Sequence, residues 1–295
     1  MNYREFKQQF EEIFQEKAQR FPNALSYMRS FYKHSPASTF SYITIGYIRK
    51  LADKDDSFWE RFDRIISDIL QALKIDSEQL FDTGIHSSYR RAKNFQFPYE
   101  VPFYPVKEHL YYIEFEPAID RERFIRKQLK EINTKDIRFC DLGFGPGVLL
   151  TLTLQEKLSW RGYGIDISLQ CARYAYKMLA LKGVDHRVEL CVADVRYLPF
   201  ADATFDLVLG MEVFEHISNP FEGLSELVRT LKPGGYTIIS IPVKLHIPEH
   251  LYVFSDTHEV LSLYKKVGLQ ILNFETKKFN IGRSYFTDTF ALCLK

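Results

Sequence analysis

Apolar positions follow a helical rhythm through the first 118 residues of the chain and a strand rhythm afterwards. Phe6, Phe10, Ile13 and Phe14 fall on one helical face, and Phe58, Phe62, Ile65, Ile66, Ile69 and Leu73 fall on another. These spacings predict amphipathic helices, grouped in a mainly α-helical, aromatic-rich N-terminal domain over residues 1–118. The stretch FQFPYEVPFYPVKEHLYY, residues 95–112, carries three prolines among seven aromatics. Proline lacks an N–H and restricts the residue before it, so an extended connection and a hinge are expected there. Its aromatics read either as packing between the halves or as a wall over a substrate.

A helix reading DRERFIRKQLKEIN comes next, and beyond it strand-like and helix-like runs alternate. IRFCDL, GYGIDI, VELCVAD, FDLVLGM and GYTIISIP read as strands, while GVLLTLTLQEKL and SLQCARYAYKMLALKG read as helices, the second opened by Ser168. Two more strands, LQILNFETKKF and RSYFTDTFALCLK, are expected to be joined by a turn at residues 280–282. Alternation of this kind predicts an α/β fold built on parallel β-α-β units, here over residues 119–295.

Composition narrows the classes. The 295 residues are 46% hydrophobic and 26% charged, which excludes a disordered chain. Lys plus Arg (39) and Asp plus Glu (38) nearly cancel to a net charge of +1, so no global field calls for nucleic acid or an anionic membrane. The short basic run YRRAK, residues 89–93, is the one local hint of a nucleic-acid partner. Cys140, Cys171, Cys191 and Cys293 lack close C-x-x-C pairing and are expected as buried free thiols. No apolar run approaches the roughly 18 residues of a membrane span, and residues 1–14 lack a secretory apolar core, so the cytoplasm is the expected compartment.

The chemistry concentrates at the ends of the predicted strands. DLGFGPG, Asp141 to Gly147, lies between the first strand and its helix, where glycines allow a ligand to approach backbone N–H groups. A dinucleotide fingerprint would need glycine at 148, and Val148 stands there. The second strand ends in Asp166, 23 residues after Gly143, a carboxylate placed to accept bonds from the hydroxyls of an adenosine ribose. Both NAD and S-adenosylmethionine offer that ribose. The third strand ends in VADVRYLPF, whose Asp194 is a candidate for an adenine amino group, and FDLVLGMEVFEHI and RTLKPGGYTIISIP follow.

In this order and spacing, residues 120–295 resemble a class I S-adenosylmethionine-dependent methyltransferase, of the broad group that includes the quinone-biosynthesis enzymes. The resemblance implies a Rossmann-like seven-stranded sheet with helices on both faces and an antiparallel last strand. It implies S-adenosyl-L-methionine as cofactor and S-adenosyl-L-homocysteine as product. Asp141, Gly143, Gly145 and Gly147 match the loop for the methionine part, Asp166 and Ile167 the ribose segment, Asp194 and Val195 the adenine contact, and Glu212 the segment beside the sulfonium. Extra N-terminal helices commonly cap the active site in such proteins, which makes 1–118 a candidate cap.

An activated methyl group needs chiefly an acceptor held in line and water kept out. A base helps where the acceptor starts protonated, and His216, His246, His250 and Tyr111 are the candidates. If the turn GMEVFEHISNP is helical, Glu212, Glu215 and His216 stand at i, i+3 and i+4 and face one way. Some families similar here use a divalent cation at this pattern; a further ligand would come from KLHIPEH, residues 244–250, where His246 and His250 stand, which gives Glu212, Glu215, His216 and His250 as the candidate set. Others are metal-free with a histidine facing the cleft, and a purely structural turn is the third reading. His250, Tyr252 and Phe254 are candidates to border the acceptor. The expected partner is a small, partly apolar molecule, favoured over RNA or protein, and a noncatalytic adenosyl-binding subunit is the reading from another class.

Overall fold

A computed structural model describes residues 3–34, 50–82, 104–132, 135–247, 249–281 and 284–295. The chain divides into two compact units, Met1–Gln96 with His109–Ile113, and Phe97–Glu108 with Glu114–Lys295. The YRRAK run and residues 95–103 lie outside the described residues.

The first unit is helical. Helices α1 (Tyr3–Ala18), α2 (Pro22–His34), α3 (Asp56–Leu73) and α4 (Ser77–Asp82) carry it. Asp55 caps α3 by accepting from Phe58 N at 3.0 Å, and Lys74 ends it in the left-handed region at φ 56°. Of the predicted face, Phe58, Phe62, Ile65, Ile66 and Ile69 are buried, with Trp59 and Ala72 beside them, while Leu73 is half-buried. Phe10 and Phe14 of α1 are buried too, and the Phe14 ring meets Trp59 edge-on at 5.2 Å. Asp63 of α3 accepts from the N–H groups of Asn23 and Ala24 at 2.8 and 2.9 Å, so α3 caps the start of α2.

Helix α5 (Tyr104–Glu114) overturns the extended connection expected over its part of residues 95–112. Pro105 is its second residue, where a missing N–H removes no helical bond, so the proline starts this helix rather than breaking one. Helix α6 (Glu116–Glu131) belongs to the second unit and runs continuously through position 118.

The second unit holds seven strands: β1 (Arg138–Leu142), β2 (Arg161–Asp166), β3 (Val188–Val192), β4 (Phe205–Met211), β5 (Leu231–Val243), β6 (Gln270–Ile281) and β7 (Ser284–Leu294). Helices α7 (Val148–Glu156), α8 (Leu169–Leu181), α9 (Pro220–Thr230) and α10 (Thr257–Lys266) connect them. The sheet order is β3-β2-β1-β4-β5-β7-β6, and β7 runs antiparallel to both neighbours while the pairs from β3 to β5 are parallel. This is the Rossmann-like sheet expected, with its antiparallel last strand. Ser168 caps α8 through Cys171 N at 3.1 Å, as predicted. The hairpin turn comes later than expected, because Asn280 and Ile281 still pair with Tyr285 and Ser284.

The core is apolar on the strands between β1 and β7, with Phe139, Leu142, Val208, Leu209, Ile239 and Ile241 fully buried. The four cysteines are free, Cys191 half-buried and the other three buried. Among the described residues no helix is long and apolar enough to cross a membrane.

Candidate active site

Strand order reverses at β1: β2 and β3 lie on one side of it and β4 and β5 on the other. At such a switch point the loops leaving the C-terminal ends of neighbouring strands diverge and open a crevice. Every expected cofactor residue stands at one of these strand ends or on the loop leaving it.

The loop after β1 is tied back to β2. Gly143 N donates to Ile165 O at 2.7 Å, and Gly147 N to Phe144 O at 2.8 Å. The Asp166 carboxylate accepts from Gly145 N at 2.8 Å and from Ser168 N at 2.8 Å, so it braces the glycine loop and the start of α8 together. A Cβ on Gly143 would meet Val213 at 2.6 Å and one on Gly147 would meet Ala175 at 2.9 Å, whereas one on Gly145 would meet nothing within 4 Å. Two glycines therefore serve packing and the middle one opens onto free space. Gly145 has φ +50°, which a side chain would strain.

Beneath the loop, Asp141 is 2% exposed and its Oδ2 has no hydrogen-bond partner. Burial, with Asp166 nearby, pushes its carboxyl up to about 8. An open backbone cradle over an unsatisfied carboxyl fits a ligand that brings hydrogen-bond donors, as the amino-acid part of S-adenosylmethionine does. Ile167 beside it is half exposed. Asp194 behaves differently from expectation. Its oxygens accept from Arg196 N, Nε and Nη2 at 2.6–3.1 Å, and that hydrogen bonding lowers its pKa.

The turn after β4 is not the helical turn the i, i+3, i+4 reading required. Glu212 sits at φ 53°, and only Phe214–His216 form a short 3₁₀ turn. Glu212 pairs with Arg121 of α6 at 2.6 Å, both largely buried. Of the expected candidate metal set Glu212, Glu215, His216 and His250, the last three come together among the described residues. One ligand atom from each of Glu215, His216 and His250 lies within 4.8 Å of the other two.

Two ties bring His250 there. Val243 bridges Phe254, and Tyr252 N donates to Glu215 O at 3.0 Å, which folds the loop after β5 back over the 3₁₀ turn. The His216 and His250 rings then meet edge-on at 5.0 Å. His216 Nδ1 bonds Glu249 O and His250 Nδ1 bonds Leu245 O, each at 3.0 Å. A carbonyl only accepts, so both Nδ1 atoms carry hydrogen and both Nε2 atoms carry the lone pair. Burial lowers the pKa of both rings and keeps them neutral.

Glu215 is fully buried with neither oxygen hydrogen-bonded. Burial, with Glu212 nearby, raises its pKa well above the carboxylate range. Asp288 of β7 is buried in the same condition, held protonated by burial and by Glu212. His246 is exposed, outside the Glu215 cluster. Tyr111 is a half-buried residue of α5 in the helical unit, whereas the three histidines belong to the sheet unit. Phe254, expected at the acceptor, is core, and the Tyr252 hydroxyl donates to Glu259.

Two residues of this site escaped the sequence reading. Arg121 occupies the buried stripe of α6 with Phe124, Ile125 and Gln128, where an apolar residue belongs by spacing. Asp288 keeps the two-residue phase of buried Phe286, Phe290 and Leu292. In each case a charge on an apolar phase was the available signal.

Comparison with known proteins agrees with this geometry. Residues 140–239 match a family model described as a methyltransferase domain. The chain is 34% identical over 117 residues to the chloroplastic tocopherol O-methyltransferase of Arabidopsis thaliana, a match covering 40% of this chain and 33% of the relative. It is 31% identical over 143 residues to the ubiquinone/menaquinone biosynthesis C-methyltransferase UbiE of Geotalea daltonii, covering 46% and 60%. It is 33% identical over 76 residues to norajmaline N-methyltransferase of Rauvolfia serpentina, covering 26% of each.

Among solved structures, a putative sarcosine dimethylglycine methyltransferase from Galdieria sulphuraria shares the fold at TM-score 0.53 and 14% identity, covering 60% of this chain and 86% of that one. The cyclase SpnF shares it at 0.51 and 18%, covering 59% and 80%. Residues 140–239 thus carry a methyltransferase domain, and the sheet unit shares the fold of these structures. The chain spans between a quarter and three-fifths of the length of these curated relatives.

Proposed function

We propose that this protein transfers the methyl group of S-adenosylmethionine to a hydroxyl oxygen of a small, partly apolar molecule. The observation that carries the reading is the pair His216 and His250, whose rings meet edge-on at 5.0 Å and each bring a ring nitrogen within 4.8 Å of a Glu215 oxygen. The bound cofactor supplies a methyl group already activated by its sulfonium. The chain's own residues then hold the acceptor, orient its hydroxyl and exclude water.

In this reading the open face at Gly145 and the backbone at Val195 hold the two ends of the cofactor, with Asp141 under the methionine part and Asp166 bracing the loop that faces the ribose. The imidazole lone pairs receive the acceptor's O–H. Exposed Ile247 and Leu251 flank His250 in the loop after β5, and they favour an acceptor with an apolar body over RNA or a charged peptide. The near-neutral chain supports the same choice. The relatives act, by their names, on oxygen, carbon and nitrogen, so the oxygen assignment rests on the histidine pair alone.

The test is transfer of labelled methyl from S-adenosylmethionine into separated small-molecule, RNA and protein fractions of the source cells. Label in the small-molecule fraction, in an ether linkage stable to base, is the expected result. Label confined to RNA or protein overturns the acceptor class. Absence of transfer together with tight adenosylhomocysteine binding points to a noncatalytic adenosyl-binding subunit.

A further inference from the structure

We infer that Arg196 is a specificity-determining residue for the base of the cofactor: it fixes the Asp194 carboxylate so that one acceptor position is left for the exocyclic amino group of adenine. The hydrogen bonds set the count. Arg196 N donates to Asp194 Oδ1 at 2.9 Å, Nε to both oxygens at 3.1 Å, and Nη2 to Oδ2 at 2.6 Å. N, Nε and Nη2 each spend one hydrogen, against about four lone-pair sites on a carboxylate. About one site remains, and the guanidinium grips both oxygens so that the carboxylate is held in one orientation. Hydrogen bonding from Arg196 also keeps the group ionised, so it accepts and does not donate.

The turn that carries the pair is itself held from both sides. Ala193 N donates to Asp166 O at 3.0 Å, which ties it to the acid expected at the ribose, and Tyr197 N donates to Asp194 O at 2.9 Å. Beyond the turn, Leu198 N donates to Glu226 Oε2 at 2.9 Å. The Asp194 side chain is 23% exposed and that of Arg196 33%, so a ligand can reach the pair. A partly exposed ion pair adds little to stability, so the place to look for the effect of this one is binding.

The chemistry predicts a contrast between bases. Adenine presents an amino donor where hypoxanthine presents a carbonyl oxygen, so a fixed carboxylate accepts from the first and repels the second. Without Arg196 the carboxylate turns freely about its broad χ2 torsion, and the contrast fades. The inference rests on the S-adenosylmethionine reading for the identity of the ligand, whereas the grip of Arg196 on Asp194 stands on the geometry.

The experiment measures the affinity of the full-length protein for S-adenosylhomocysteine and for S-inosylhomocysteine by calorimetry. The wild type should favour the adenosyl compound by about 10–100-fold, a readout that depends on no variant. Arg196→Met keeps the apolar stem and loses every donor, and should cut that preference by about tenfold or more while both compounds still bind. Arg196→Lys keeps the charge without the forked grip and should fall between. Added to Asp194→Asn, Arg196→Met should change the ratio no further. A variant that only loosens the turn weakens both compounds together and leaves their ratio alone. Equal binding of the two compounds by the wild type, or an unchanged ratio in Arg196→Met, overturns the inference and leaves the cofactor reading standing. A wild type that binds neither compound overturns the cofactor reading and the inference with it.

Discussion

The loop after β1 and the turn after β4 stand at neighbouring strand ends, yet they are built in opposite ways. The first is nearly all backbone: N–H groups of Gly143, Gly145 and Gly147 are placed by bonds to Ile165, Asp166 and Phe144, all within 23 residues of the loop. The second is all side chains, and its partners come from far along the sequence: Arg121 from α6, His250 from the loop after β5, Asp288 from β7. A backbone cradle tolerates variation around it. A side-chain cluster with buried charge depends on every partner.

The largest expected effect tests that dependence. Arg121→Ala strands Glu212 in a buried site that already holds Glu215 and Asp288, and should destabilise the protein by about 3–5 kcal/mol in denaturant titration. The double variant Arg121→Met with Glu212→Gln should recover much of the loss, and additive losses would sink the pairing. At the backbone cradle, Asp166→Ala removes the brace on Gly145 and Ser168 and should weaken adenosylhomocysteine binding by about 100-fold. Unchanged affinity would remove Asp166 from the site.

A third effect is one of pH. With Asp141 raised from 3.8 to about 8, the native state keeps a proton that the unfolded chain has released between those values. Stability should therefore fall as pH rises from about 4 to about 8, by up to about 1.4 kcal/mol per unit from this group, and level off above. Asp141→Asn should flatten that slope in melts across the range, and an unaltered slope would contradict the raised value. The smallest effect is Ser168→Ala, which removes a helix cap and should cost about 1 kcal/mol with little change in adenosylhomocysteine affinity.

The two regions also differ in how readable they were. Glycine spacing, the acid after β2 and the Ser168 cap are local, so they were recognisable without knowing what packs where. A helical turn stayed open as one reading because nothing in EVFEH signals a left-handed Glu212. That Arg196, two residues on, pairs with Asp194 within the turn was not read from the sequence. Pro105 was taken as a helix breaker when it is a helix starter, a distinction that depends only on which residue the helix begins with.

Strand and helix periodicity, the sheet's class and the cofactor loop were determined by the sequence alone, because they arise from steric and hydrogen-bonding preferences of residues close in the chain. Tertiary structure decided which acids keep a proton, which histidine joins Glu215, and that Glu212 answers to Arg121. Those are properties of charges and lone pairs brought together across more than 30 residues, where burial and distance set the energies and no local pattern records them.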